Sequence, residues 1–129
     1  MKARILMIED NEQNRYLATF LLEARGHEVI PAVDGPAGIA AARELHPDLI
    51  LLDIQLPGMD GYAVARALKQ LPGVERVPIV AVTSFAMIGD REAILAAGAD
   101  GYLEKPIDPE MFAVAVERFL AVNLRAGGA

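Results

Sequence analysis

The chain contains no cysteine, which excludes a disulfide framework, a thiolate metal site and a cysteine nucleophile together. Long apolar stretches are also missing. The longest unbroken run, Met111 to Val116, is far short of the ~20 residues of a membrane-spanning helix, and charged Glu9 and Asp10 arrive too early for a signal peptide. Positive charge is scarce: 12 basic against 18 acidic side chains give a formal net charge of −6 and a pI near 4.8. Phosphate neutralisation needs clustered Lys and Arg, so a broad nucleic-acid footprint is disfavoured and no direct nucleic-acid partner is expected. Low-complexity tracts, internal repeats and linkers are absent as well. What is present is 129 residues with 53% hydrophobic and 23% charged side chains, enough to bury one core and too few for two domains. The expectation is a soluble, cytoplasmic protein with no membrane partner, a single domain over residues 1–124, a short flexible tail at 125–129 and no separate output domain.

Five short apolar runs alternate with longer segments of helical spacing. The runs are Arg4 to Ile8, Glu28 to Ala32, Asp48 to Asp53, Pro78 to Thr83 and Gly101 to Leu103. Several are β-branched or Leu-rich on both faces, as in Leu49-Ile50-Leu51-Leu52 and Ile79-Val80-Ala81-Val82, which suits strands covered by helices on both sides. Between them, Asn11 can cap a helix to Arg25 with Gly26 as its stop, and Asp34 precedes an Ala-rich segment ended by His46-Pro47. Asp60 or Gly61 opens a third helix that Pro72-Gly73 ends. A fourth runs from about Gly89 to Ala97, and Asp108-Pro109-Glu110 opens a fifth with Asp at the cap. The order is βα repeated five times, which predicts a three-layer α/β sandwich with few topologies open to it.

In open α/β folds ligands bind beyond the carboxyl ends of the strands. Those positions hold Glu9-Asp10 after the first strand, Asp53 at the third, Thr83-Ser84 at the fourth and Lys105-Pro106 after the fifth. Three carboxylates brought close together repel one another, and one Lys cannot neutralise them, so such a site raises a pKa or binds a cation. A small hard divalent ion such as Mg²⁺ fits an all-oxygen donor set best, whereas zinc would want Cys or clustered His. With a cation bound, Asp53 could attack phosphorus as a carboxylate nucleophile, with Lys105 offsetting charge on the transferring oxygens and Thr83 and the Ser84 amide bonding them.

Taken together, Glu9-Asp10-Asn11, the stretch Asp53-Ile54-Gln55-Leu56-Pro57-Gly58-Met59-Asp60-Gly61, Thr83-Ser84 and Lys105-Pro106 resemble the receiver domain of two-component response regulators. The resemblance spans nearly the whole chain with the motifs in family order. It implies a flavodoxin-like (βα)5 fold with a parallel sheet of order 2-1-3-4-5. It also implies a phosphorylation-controlled signalling switch rather than a conventional enzyme. Asp53 would accept phosphoryl from a histidine kinase or a histidine phosphotransfer protein, Asp10 and Asp53 would ligate Mg²⁺, Glu9 would act through water and Gln55 through its backbone carbonyl. Lys105 would pair with the phosphate, the Lys105–Pro106 bond would be cis, and Thr83 with Tyr102 would form the switch that alters the surface read by a downstream effector. The chain would be a monomer or a phosphorylation-dependent dimer.

Gln55 and Phe85 lie two residues beyond the acceptor and the switch Thr, and neither is a base, which predicts slow self-dephosphorylation. Singly, these residues have plainer readings. Acids after a strand cap helices, an aromatic such as Tyr102 in an edge strand is commonly packing, and Pro57-Gly58 is turn chemistry. His27 and His46 sit near strand starts and carry no catalytic role. Met59, Met87 and Met111 read as gap-fillers or interface residues, and Arg118 and Arg125 with Glu117 as a solvated face. Two other phosphate chemistries fit less well. A flavin carrier needs a Gly-, Ser- or Thr-rich cradle where Glu9-Asp10-Asn11-Glu12 stands, and a haloacid-dehalogenase-type phosphatase needs an Asp where Gln55 stands. A receiver-shaped module that binds partners without phosphorylation is the third alternative.

Overall fold

The structure is a computed structural model and describes residues 2–56, 58–84 and 88–127. Five strands alternate with five helices: β1 (Arg4–Ile8), α1 (Glu12–Glu23), β2 (Glu28–Ala32), α2 (Gly35–Leu45), β3 (Leu49–Asp53), α3 (Gly61–Lys69), β4 (Ile79–Thr83), α4 (Ile88–Ala96), β5 (Gly101–Glu104) and α5 (Phe112–Gly127). The sheet is parallel throughout, in the order β2-β1-β3-β4-β5. This is the three-layer α/β sandwich that the alternation of elements predicts, in the flavodoxin-like order that the resemblance implies. Among the described residues no helix is long and apolar enough to cross a membrane.

Strand periodicity splits the core in two. Leu6, Ile8, Ile50, Leu52, Ile79 and Ala81 pack with Ala42 of α2, Val64 and Leu68 of α3 and Ile94 of α4. The alternate residues Ile5, Met7, Leu49, Leu51, Val80 and Val82 pack with Ala18 and Leu22 of α1 and Phe112, Val116 and Leu120 of α5. Because successive side chains in a strand point to opposite faces, both faces of the central strands must be apolar, and β3 and β4 are buried at every position. The outer strand β2 is half-exposed and tolerates Pro31, as an edge strand can.

Helix starts follow their caps. The side chains of Asn11, Asp34 and Asp60 accept from the amides of Asn14, Ala37 and Ala63 at 2.9, 2.9 and 2.8 Å. The α2 end agrees with the sequence reading, with His46 as the stop in the left-handed region at φ 46°. The start of α5 departs from it: the helix begins at Phe112 rather than at Pro109. Residues 109–111 form a turn in which Asp108 Oδ1 accepts from the Glu110 amide at 3.0 Å and the Asp108 carbonyl accepts from Met111 and Phe112 at 3.2 and 2.9 Å. Asp108 therefore closes its own turn before the helix starts. At the other end α5 continues to Gly127, past the boundary at 124 assigned from sequence, because Arg125 and Ala126 are good helix formers.

Glu117 does not join a solvated face with Arg118. It is bonded to Arg25 through two contacts of 2.6 and 2.9 Å and to Nε2 of buried His27 at 2.8 Å. His27 Nδ1 in turn accepts from the Ala3 amide at 3.1 Å, so Nε2 carries the proton that Glu117 receives. The Arg25 hydrogen bonds, only partly opposed by burial, bring the Glu117 carboxyl down to about 2. Charged Arg118 is exposed, and Arg125 at the side-chain level lies outside the described residues.

Candidate functional site

All five strands run the same way, so their exits share one edge of the sheet. β1 delivers Glu9 and Asp10, with Asn11 both following the acids and capping α1. β3 ends on Asp53, β4 on Thr83, and Lys105 follows β5. Gly61, at the start of α3, lies so close to Ile54 that a Cβ would run into the Ile54 backbone, and its amide donates to the Ile54 carbonyl at 3.1 Å. This close approach pins the loop that leaves Asp53.

Oxygens of Glu9, Asp10 and Asp53 lie within 4.8 Å of one another. Glu9 and Asp53 are 5% and 3% exposed, whereas Asp10 faces solvent. Lys105 Nζ stands 3.1 Å from Asp53 Oδ2 and 3.3 Å from Glu9 Oε1. The Gln55 amide donates to Asp53 Oδ1 at 2.9 Å and the Asn11 amide to Glu9 Oε2 at 3.3 Å. Beneath the acids lies a small, largely apolar cavity lined by residues including Met7, Ala18, Leu51, Val82 and Phe112.

These surroundings divide the acids. Burial, then a hydrogen bond that the protonated Glu9 donates to Asp53 and the negative charge of Asp53, push the Glu9 carboxyl up to about 7. Burial pushes Asp53 the same way, but the hydrogen bonds from Glu9, the Gln55 amide and Lys105 outweigh it and hold its carboxyl below the usual range. Lys105 loses basicity to burial and regains more from Asp53 and Glu9, ending above an ordinary lysine. Glu9 thus keeps a proton near neutrality because it is buried against the ionised Asp53, and Lys105 offsets this only in part. A hard dication would replace that proton and complete the charge balance, and the oxygen donors present suit Mg²⁺.

Thr83 is buried and its carbonyl accepts from the Lys105 amide at 2.8 Å. Ala81 pairs with Tyr102 in the β4–β5 register, and Thr83 lies two residues beyond Ala81. Thr83 and Tyr102 therefore occupy the same face of the sheet, the one covered by α4, while Asp53 follows Leu51 on the α1 and α5 face. The half-buried Tyr102 ring carries the Arg91 guanidinium 5.3 Å from its centroid, and Arg91 reaches Glu104 at 3.7 Å. Ser84 and the Gln55 side chain are exposed. The Lys105–Pro106 peptide is cis. Phe85, Met87 and Pro57 lie outside the described residues. His46 is far along the sheet from these exits, beside Gly73.

The sequence reading missed Arg15, Asn14 and Arg91. Asn14 lines the cavity under Glu9 and Asp53, and Arg15 donates from Nη1 to the Glu9 carbonyl at 2.8 Å. Their signal was available in principle: both lie in the first turn after the Asn11 cap, where side chains lean back toward the helix start.

Comparison with known proteins decides the family. A family model of the response regulator receiver domain matches residues 5–117. The chain belongs to the response regulator receiver family. This receiver is 42% identical over 120 residues to the polar-differentiation response regulator DivK of Brucella ovis, covering 93% of this chain and 98% of the relative. Among solved structures it is similar to the receiver domain of the sensor histidine kinase PA1611 from Pseudomonas aeruginosa PAO1, at 34% identity and a TM-score of 0.85, covering 94% of this chain and 99% of that one. That receiver has a magnesium ion coordinated in its active site cleft. The chemotaxis protein CheY4 of Vibrio cholerae superposes with a TM-score of 0.88 at 28% identity, over 92% of this chain and 99% of the other. As a receiver of this family, the chain is a phosphorylation-controlled switch of two-component signalling.

Proposed function

We propose that Asp53 is the phosphoryl acceptor and that the donor is a phosphohistidine on a histidine kinase or a histidine phosphotransfer protein. An Asp53 oxygen forms the new P–O bond while the P–N bond breaks and its electron pair leaves with the imidazole nitrogen. Carrying this reading is the position of the Asp53 carboxylate, held at one oxygen by the Gln55 amide and at the other by Lys105 and depressed in pKa so that it is ionised and nucleophilic. Bound Mg²⁺ would supply charge neutralisation on the transferring oxygens, with Asp10 and Asp53 as direct ligands, Glu9 through water and Gln55 through its carbonyl. Lys105 then binds a phosphoryl oxygen, and Thr83 with the Ser84 amide takes others. Once Thr83 is drawn toward the phosphoryl group, the space beside it on the α4 face admits the Tyr102 ring, and the surface formed by α4, β5 and α5 changes.

The donor protein docks on α1, where Tyr16 and Phe20 are 73% and 60% exposed and stand one turn apart. The effector reads the opposite side, where Leu95 and Met111 are exposed. Such a relay works in the cytoplasm. Incubation of the purified protein with Mg²⁺ and a small phosphodonor, followed by intact-mass measurement, should show one added phosphoryl group that the Asp53→Asn variant does not acquire. Equal addition to both proteins, or none to the parent, would overturn the assignment.

A further inference from the structure

Arg15 lies in the first turn of α1 and is half-buried. Among the described residues it is paired with no carboxylate, although three acids stand nearby; its guanidinium instead donates to the main-chain carbonyl of Glu9 at 2.8 Å. That carbonyl belongs to the peptide linking Glu9 to Asp10. The rest of the short segment is held by one bond across to β2, from the Glu9 amide to the Ala32 carbonyl at 3.0 Å, and by two local bonds, from the Asn11 amide to Glu9 Oε2 at 3.3 Å and from the Arg15 amide to the Asn11 carbonyl at 3.0 Å. The Arg15 side chain adds a restraint on the peptide that leads into Asp10.

We propose that Arg15 is a positioning residue for the acidic pair, fixing the Glu9–Asp10 peptide so that both carboxylates converge with Asp53 before a cation arrives. A ligand set that is held in advance binds more tightly than one that must be ordered on binding, and groups that orient ligands commonly tune metal affinity by tenfold or more. This rests on the reading of the site as a Mg²⁺-dependent phosphoryl acceptor. The sign is informative. Removing a positive charge beside an acidic cluster would by Coulomb's law alone strengthen cation binding, whereas removing a clamp weakens it.

The test compares the parent with Arg15→Met and Arg15→Lys by calorimetric Mg²⁺ titration and by amide hydrogen exchange of the metal-free proteins. Arg15→Met is expected to weaken Mg²⁺ about tenfold and to speed exchange at Asp10 and Asn11, with the strands unaffected. Arg15→Lys, which keeps a charged donor, should stay within about threefold of the parent. Parental or tighter Mg²⁺ binding by Arg15→Met, a loss in Arg15→Lys as large as in Arg15→Met, or exchange raised evenly across the whole sheet would overturn the proposal. If the parent bound no Mg²⁺, the reading of the site would fail instead, and the metal-free exchange comparison would still decide whether Arg15 holds the segment.

Discussion

Lys105 touches both buried acids, at 3.1 and 3.3 Å, and so does two things at once: it keeps Asp53 ionised and offers a donor to the incoming phosphoryl oxygens. Lys105→Ala should therefore slow phosphorylation by a small phosphodonor by about a hundredfold, the typical loss on deleting a donor aimed at developing negative charge. Folding should survive it, because the two acids can then share a proton. Single-turnover rates at saturating Mg²⁺ would check this. The principal acids, hydroxyls and ammonium of the site were legible in the sequence because each stands at a strand exit, and the alternation of apolar runs located the exits. Arg15 had only the weaker signal of its place in the first turn of α1, and Arg91 had none, because its contact runs to a ring face and leaves no mark in residue spacing. Glu117 was misread for a related reason: its neighbours in sequence are Arg118 and Arg125, but its partners in space are Arg25 and His27 from the turn between α1 and β2.

At the scale of elements, the strands were legible to within about a residue, since burial on both faces of β3 and β4 demands continuous apolar sequence. Helix starts with an Asn or Asp cap were equally legible. The start of α5 was not, because Asp108 satisfies two functions, cap and turn, and the turn takes it. The α3 start is where an element's position governs the site. A Cβ at Gly61 would sit against the Ile54 backbone, 2.8 Å from its carbonyl oxygen, and backbone cannot rotate aside as a side chain can. Gly61→Ala is expected to destabilise the fold by roughly 2–4 kcal/mol, in the range of overpacking and backbone strain, while Gly58→Ala, whose added Cβ meets open space, should cost about 1 kcal/mol for its positive φ alone. Urea unfolding of the two variants would separate these outcomes. On the outer side of the sheet, Arg91 over Tyr102 favours the ring position seen here. Arg91→Ala should raise the fraction of inward-turned Tyr102 in the unphosphorylated protein, read by ¹⁹F resonance of fluorotyrosine; an unchanged spectrum would show that the cation contributes nothing to the balance.

For the molecule as a whole, Glu117 ties the last helix to the turn between α1 and β2, at the end of the sheet away from the acids. Its carboxyl is depressed from an ordinary 4.5 to about 2, so the unfolded chain takes up the proton first as pH falls. The stability it contributes is present above about pH 4.5 and is lost between there and about pH 2. Glu117→Gln should lower the unfolding free energy at neutral pH by about 2 kcal/mol, the worth of charge-assisted hydrogen bonds, and should flatten the acid limb of the stability curve in that window. Denaturant titrations across pH would test both parts.

Residues of a strand present both their amide and carbonyl to the same side, alternating along the chain. In β2 the Glu28 amide and Ala32 carbonyl turn inward to β1, so Val29 and Pro31 turn outward. Proline has no N–H, which leaves Val29 as the single hydrogen donor that β2 offers to anything lying alongside it. A sixth strand, from another copy or a foreign peptide, would find almost nothing to grip there, so growth of the sheet by lateral annealing is blocked on that flank, and recruitment falls to the helical surfaces.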